Sequence, residues 1–232
     1  ETASFIQSWK ERGGEPDREA LLKNVIGFIP AANSEFDAES VVIGAHYDHL
    51  GRGWPDVRSE NKGLVHYGAD DNASGVAILM ELAQVLGKSL KPERNIVFAA
   101  FSEEESGRRG SKHYIKHQKR FPAEKIIGMI NLDTVGRLEK KKLLVLGTDS
   151  AREWPHIFRG IGYVTGIPIA MVSQKLDSSD HTSFHEVGVP AVQLFSGANL
   201  DYHRPTDTAE KIDLEGLIKV ATVTKEALQY LA

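Results

Sequence analysis

The chain has no cysteine. Disulfides and thiolate ligands are thereby excluded, and any metal it holds must sit on imidazole and carboxylate groups. It also has no apolar run near the ~20 residues that cross a bilayer, and no signal-like start, so no membrane association is expected. A basic excess is missing too. With 28 Lys and Arg against 32 Asp and Glu, for a net charge of −4, nucleic acid is not an expected partner. The cluster Lys140-Lys141-Lys142 is short enough for a solvated turn. Glu1 stands first instead of Met, which suggests a processed product whose targeting segment is out of view. There is no repeat and no low-complexity tract. What is present, 232 residues with 41% hydrophobic content, suits one domain around a single core, and a monomer is the expected state.

Along the chain, Thr2 to Lys10 and Asp17 to Lys23 read as short polar helices around a Gly13-Gly14-Glu15-Pro16 loop, so residues 1–23 are expected as a helical segment packed on the domain. Asn24 to Pro30, Ser40 to Ala45, Asn95 to Phe101, Ile126 to Leu132, Leu143 to Leu146, Pro168 to Val172 and Val189 to Phe195 read as strands. Helices are predicted over Val76 to Lys88, Gly110 to His117, Ala151 to Thr165 with Pro155 in the first turn, and Asp213 to Leu231. Apolar strands alternating with helices predict an α/β domain with a largely parallel sheet. Such sheets bind ligands beyond the carboxyl ends of their strands. His46, Glu104, Glu105, Asp133 and the loop with His203 all follow strand ends.

The stretch Gly68-Ala69-Asp70-Asp71-Asn72-Ala73-Ser74-Gly75 puts carboxylates where a loop enters a helix. Alone, it is an ordinary helix cap. Beside His and carboxylate groups at several strand ends, it suits a zinc site of the nitrogen and oxygen type. The number of candidate donors suggests more than one ion, and Asp71 is the choice for a carboxylate that bridges two. Glu104 and Glu105 point different ways from one strand end, so one can bind metal while the other moves protons.

His46-Tyr47-Asp48-His49, Gly68 to Gly75, Phe101-Ser102-Glu103-Glu104-Glu105-Ser106-Gly107, Asn131-Leu132-Asp133, Ser179-Asp180-His181 and Tyr202-His203-Arg204-Pro205-Thr206-Asp207-Thr208 resemble the ordered motifs of the M28 family of co-catalytic zinc aminopeptidases. The resemblance implies a three-layer α/β/α sandwich around a mixed, mostly parallel sheet, and two zinc ions per chain. One zinc would be held by His46 and Asp133, the other by Glu105 and His203, with Asp71 between them. Glu104 would be the general base, Asp48 the carboxylate that orients the His46 imidazole, and Tyr202 a donor to the oxyanion. His49, Asp70, Asp180 and His181 would have supporting hydrogen-bond roles, Asp207 would fix the loop behind His203, and the Asp71-Asn72 peptide would be cis. His66, His113, His117, His156 and His185 match no motif and are assigned surface or structural duty.

The implied activity is release of the first residue from peptides with a free N-terminus. Met171, Phe195 and Leu200 are candidate walls of an apolar pocket for that residue. Secretion, or a bacterial periplasmic location, is the implied setting. The related M28 readings are a metallocarboxypeptidase, which needs cations such as Arg108, Arg109 or Arg204 for a substrate carboxylate, and a mono-zinc glutaminyl cyclase. A non-catalytic binding domain would lack ligands, and here every ligand position is filled. Arg108 and Arg109 depart from the family's usual apolar residues after the glutamates.

Overall fold

The computed structural model describes residues 3–12, 19–32, 39–54, 58–174 and 177–232. Its framework is an eight-stranded sheet. In chain order the strands are β1 (Ala3–Arg12), β2 (Glu19–Ile29), β3 (Ser40–His46), β4 (Asn95–Phe101), β5 (Ile126–Leu132), β6 (Leu143–Leu146), β7 (Ile169–Val172) and β8 (Ala191–Phe195). They lie side by side in the order β1-β2-β4-β3-β5-β8-β6-β7. The inner four, β4, β3, β5 and β8, run parallel to one another. Antiparallel β2 and β6 flank them.

The inner strands read as near-continuous apolar runs because both faces are covered. Along β3 and β4, Val41, Ile43, Ala45, Ile96 and Phe98 join one core. Val42, Val97, Ala99 and Phe101 join the other. The first core is closed by α1 (Ser74–Ser89), α3 (Trp154–Thr165) and α5 (Leu214–Leu231), through residues such as Leu82, Leu86, Trp154, Phe158, Val220 and Leu228. The second is closed by Tyr114 of α2 (Arg109–His117) and Phe184 of α4 (His181–His185). The result is the expected three-layer α/β/α sandwich with a mixed, mostly parallel sheet.

The N-terminal expectation is overturned. Residues described within 1–23 are not helical but form β1 and the outer half of β2, paired antiparallel from Ala3↔Phe28 to Arg12↔Glu19. The expected strand at Asn24 is the inner half of β2, where it meets β4 through Val25↔Ala100 to Ile29↔Ile96. The reason is tertiary: β4 offers an edge, and pairing with it overrides weak local preference. The Gly13 to Pro16 loop lies outside the described residues. Elsewhere the boundaries move by a few residues, with Pro155 in the first turn of α3 as expected. The short helix α4 was not foreseen.

Candidate metal centre

Because β4, β3, β5 and β8 are neighbours and parallel, their carboxyl ends present His46, Glu104-Glu105, Asp133 and the loop with His203 at one end of the sheet. Asp71 arrives from the turn before α1. Its Asp71-Asn72 peptide is cis, as the resemblance implies. Glu103, Thr134 and His203, each a donor or within two residues of one, have φ of 57°, 54° and 55°, a region that non-glycine residues occupy mainly where the surroundings hold them there.

Two side chains tie these pieces together. Asn72 donates to the Leu132 carbonyl at 2.9 Å and the His46 carbonyl at 3.3 Å. Its own oxygen accepts from the Gly75 and Thr134 N–H groups. Asp207 accepts from the Asp70 and Asp71 N–H groups at 2.9–3.1 Å, so the loop behind His203 holds the turn that carries Asp71. Gly75 has no room for a side chain: a Cβ there would lie 2.5 Å from Asn72 Oδ1 and 2.6 Å from the Leu132 carbonyl.

The donors then fall into place. His46 Nε2 lies 3.2 Å from Asp71 Oδ1 and 3.5 Å from Asp133 Oδ1. His203 Nε2 lies 3.2 Å from Asp71 Oδ2 and 3.1 Å from Glu105 Oε2. Asp71 therefore turns one oxygen to each imidazole, the disposition a bridging carboxylate needs. His203 Nε2 is buried and has no hydrogen-bond partner despite these neighbours. Imidazole nitrogens and carboxylate oxygens crowded at 3.1–3.5 Å are the donor set that holds zinc-type ions.

The charges say the same. Burial works against it, yet Asp133, Asp48 and Asp71 raise the His46 pKa. Burial likewise opposes the shift at His203, but Asp71 and Glu105 carry it up to about 10. Glu105 is buried as well, and His203 and His49 hold it down to about 2. Protons occupy the place a cation would take, so protons and metal compete here. Glu104 behaves differently: burial, with Asp180, Asp133 and Glu105 nearby, pushes it up to about 9 despite His46. It forms no ligand pair with an imidazole and stands as the group able to carry a proton.

Asp48 faces His46 with two groups. The His46 Nδ1 partner is the Asp48 carbonyl at 3.2 Å, while the carboxylate stands 3.6 Å away. That carboxylate accepts from the Glu104 and Glu105 N–H groups at 3.1 and 3.2 Å. Asp48 thus fixes both glutamates as well as the imidazole. Tyr202 stacks on the His203 ring, with centroids 3.9 Å apart. Its ring is half exposed, and partial desolvation with Asp71, Asp133, Glu105 and Glu104 nearby pushes the phenol above its ordinary pKa, so it stays protonated. Asp70 accepts from the Gly136 N–H at 2.6 Å and from Asn199 at 2.8 Å, and Asp180 and His181 are fully buried.

The proposed pocket residues gain less. Phe195 is half-buried at the end of β8, Met171 is 36% exposed, and Leu200 is 86% exposed, so Leu200 projects into solvent. A cleft of about 300 Å³ beside the centre is lined instead by Tyr47, Asp48, His49, Tyr67, Asn72 and Met80. Sequence reading missed these tyrosines; no spacing rule marks them. Arg108 pairs with Asp177 at 2.9 Å and Glu186 at 3.4 Å, binding the start of α2 to the segment around α4. Of the histidines without a motif, His66 is buried, and His185 bonds the Ala191 carbonyl at 2.8 Å.

The model of peptidase family M28 matches residues 24–228. The chain belongs to peptidase family M28. This M28 chain is 30% identical over 216 residues to Aminopeptidase YwaD of Bacillus subtilis, covering 89% of the chain and 44% of that protein. Among solved structures, it resembles a zinc aminopeptidase from Bacillus subtilis at 28% identity and TM-score 0.75, over 91% of this chain and 50% of the other. It superposes on Porphyromonas gingivalis glutaminyl cyclase at TM-score 0.81 but 19% identity, over 100% and 85% of the two chains, a likeness of fold. The M28 chain spans about half the length of the aminopeptidases it matches.

Proposed function

We propose that this chain is a two-zinc aminopeptidase that hydrolyses the first peptide bond of peptides with a free N-terminus and an apolar first residue. The observation that carries the reading is Asp71, which offers one oxygen toward His46 and the other toward His203. The aminopeptidases among its M28 relatives support the activity.

In this reading, His46 and Asp133 would hold one ion and Glu105 and His203 the other, with Asp71 available to both. When bound, two such ions supply Lewis acidity toward the scissile carbonyl and acidify water. Glu104 takes the proton of the attacking water and delivers it to the leaving amine. Asp48 keeps Glu104 in place through its backbone N–H. Tyr202, with its phenol protonated, donates to the oxygen on which negative charge develops.

The test pairs metal content by mass spectrometry with hydrolysis of Leu-p-nitroanilide and its N-acetyl form, before and after chelation. Two zinc ions per chain and chelator-sensitive cleavage of the free-amine compound alone are expected. One ion, no cleavage, and cyclisation of a glutaminyl peptide would replace this reading with a cyclase.

A further inference from the structure

The cleft beside the centre is lined for a guest that the metal donors do not account for. Tyr47, Tyr67 and Met80 in its walls are 46%, 65% and 68% exposed, large apolar groups gathered around a space of about 300 Å³. That is the small end of ligand clefts and suits one large side chain. Val76 and Ala77 of α1 line it as well. The polar groups in its walls are committed elsewhere. The Asn72 amide bonds the His46 and Leu132 carbonyls and the Gly75 and Thr134 N–H groups. The Asp48 carboxylate accepts from the Glu104 and Glu105 N–H groups, and the Tyr47 hydroxyl donates to the Lys23 carbonyl at 2.6 Å. What remains for a guest is apolar surface, with Met80 able to adapt to its shape.

The order of the strands says which part of a peptide reaches this cleft. Across the sheet that order is β1-β2-β4-β3-β5-β8-β6-β7. Glu104, which in the proposed reaction delivers a proton to the leaving amine, follows β4, whereas Phe195 ends β8 and Met171 lies on β7. A scissile bond held between the ends of β3 and β5, where His46 and Asp133 stand, therefore has its departing side toward β4 and the hairpin and its first residue toward β8. The cleft is on the departing side. Its Tyr47 donates its N–H to the Phe101 carbonyl of β4 at 2.9 Å and its hydroxyl to β2. Apolar surface continues the same way: Val25, 47% exposed, is registered between Ile6 and Ala100, and Ala100 opposite Ala45. Residues directly opposite share a face, and Tyr47, two residues beyond Ala45, is on it too.

We propose that this cleft takes a large apolar or aromatic side chain from the residue after the scissile bond, with Tyr67 and Met80 as the walls that determine the preference. The inference rests on the aminopeptidase reading above and adds a substrate class to it: peptides that are apolar in the second position as well as the first. The rival use of the same cleft is as the pocket for the first residue.

The deciding experiment measures initial release of the first residue by the full zinc-loaded chain from Leu-amide, Leu-Gly-amide, Leu-Phe-amide and Phe-Gly-amide. Leu-amide loses only ammonia, so nothing of it enters a site beyond the scissile bond. For the wild-type chain, kcat/KM for Leu-Phe-amide is expected to exceed that for Leu-Gly-amide by ~10–150-fold, the gain from burying one such side chain. The double variant Tyr67→Ser, Met80→Ser, which alters exposed residues outside the metal and proton-transfer groups, should bring that ratio to within a few-fold. Its rate on Leu-amide and its ratio of Phe-Gly-amide to Leu-Gly-amide should stay as in the wild type. A wild-type chain that cleaves Leu-amide but treats Leu-Phe-amide and Leu-Gly-amide alike overturns this inference alone, as does a ratio that the double variant leaves unmoved. A variant that instead shifts the preference between Phe-Gly-amide and Leu-Gly-amide assigns the cleft to the first residue and overturns it as well. A wild-type chain that cleaves none of the four overturns it together with the proposed function.

Discussion

Glu104 and Glu105 are adjacent, yet their surroundings drive them apart. Glu105 is drawn down by two imidazoles, and Glu104 is driven up by burial among carboxylates. Glu104→Gln keeps the shape and removes the proton carrier. We expect kcat to fall by ~10²–10⁴ with KM and zinc content unchanged, measured by steady-state kinetics and metal analysis. The same groups set the pH response of metal-stripped protein. His203, raised from 6.5 to about 10, contributes stability that is full below 6.5 and lost as pH rises through 10. Asp70, raised by burial from 3.8 to about 7, and Glu104, raised from 4.5 to about 9, also destabilise the fold as they lose protons on the way up. Glu105, lowered from 4.5 to about 2, contributes stability above 4.5 that is lost as pH falls through 2. Thermal scans in chelator should therefore peak near pH 4.5 and decline on both sides. At this scale the sequence was informative where a donor follows an apolar strand, as His46 follows Val41-Val42-Ile43. It was silent on Asn72, whose work is done by hydrogen bonds across some 60 residues of chain, and it put Asp207 behind His203 without its grip on the Asp70-Asp71 turn, 137 residues away.

Elements show the same division. The inner strands were legible because burial on both faces leaves a plain apolar run, while the β1–β2 hairpin was not. Its outward residues include Ile6 and Leu21, 60% and 57% exposed, and its partner strand β4 is some 70 residues away in sequence. Such pairing leaves no mark in a local window. Two glycines test how tightly the helices are seated. Gly75→Ala drives a methyl against Asn72 and the Leu132 carbonyl, at a cost of ~1–3 kcal/mol. Because Asp71 and Asp133 adjoin those groups, zinc affinity should fall with stability. Gly160→Ala, on α3 with nothing within 4 Å of the added carbon, should be neutral or stabilising by up to ~1 kcal/mol. Urea unfolding of both variants makes the comparison, and equal losses would contradict the packing described.

For the whole molecule, metal and fold are linked. An ion at ~1,000 times its Kd adds about 4 kcal/mol to the native state alone. In a domain of this size that is roughly 8–16 °C in melting temperature. Differential scanning fluorimetry with and without zinc should show a rise of this order, abolished by chelator, and an unchanged midpoint would argue against a preformed centre. The donors lie between residues 46 and 203, and none of the expected ligands adjoins another in sequence. A chain still emerging from a ribosome has His46, Asp71, Glu105 and Asp133 long before His203. Asp207, which grips the turn carrying Asp71, comes later still. In the two-zinc reading proposed above, the Glu105 and His203 side would be complete only after the last central strand, β8, has been laid into the sheet, so metal uptake there would mark the end of folding.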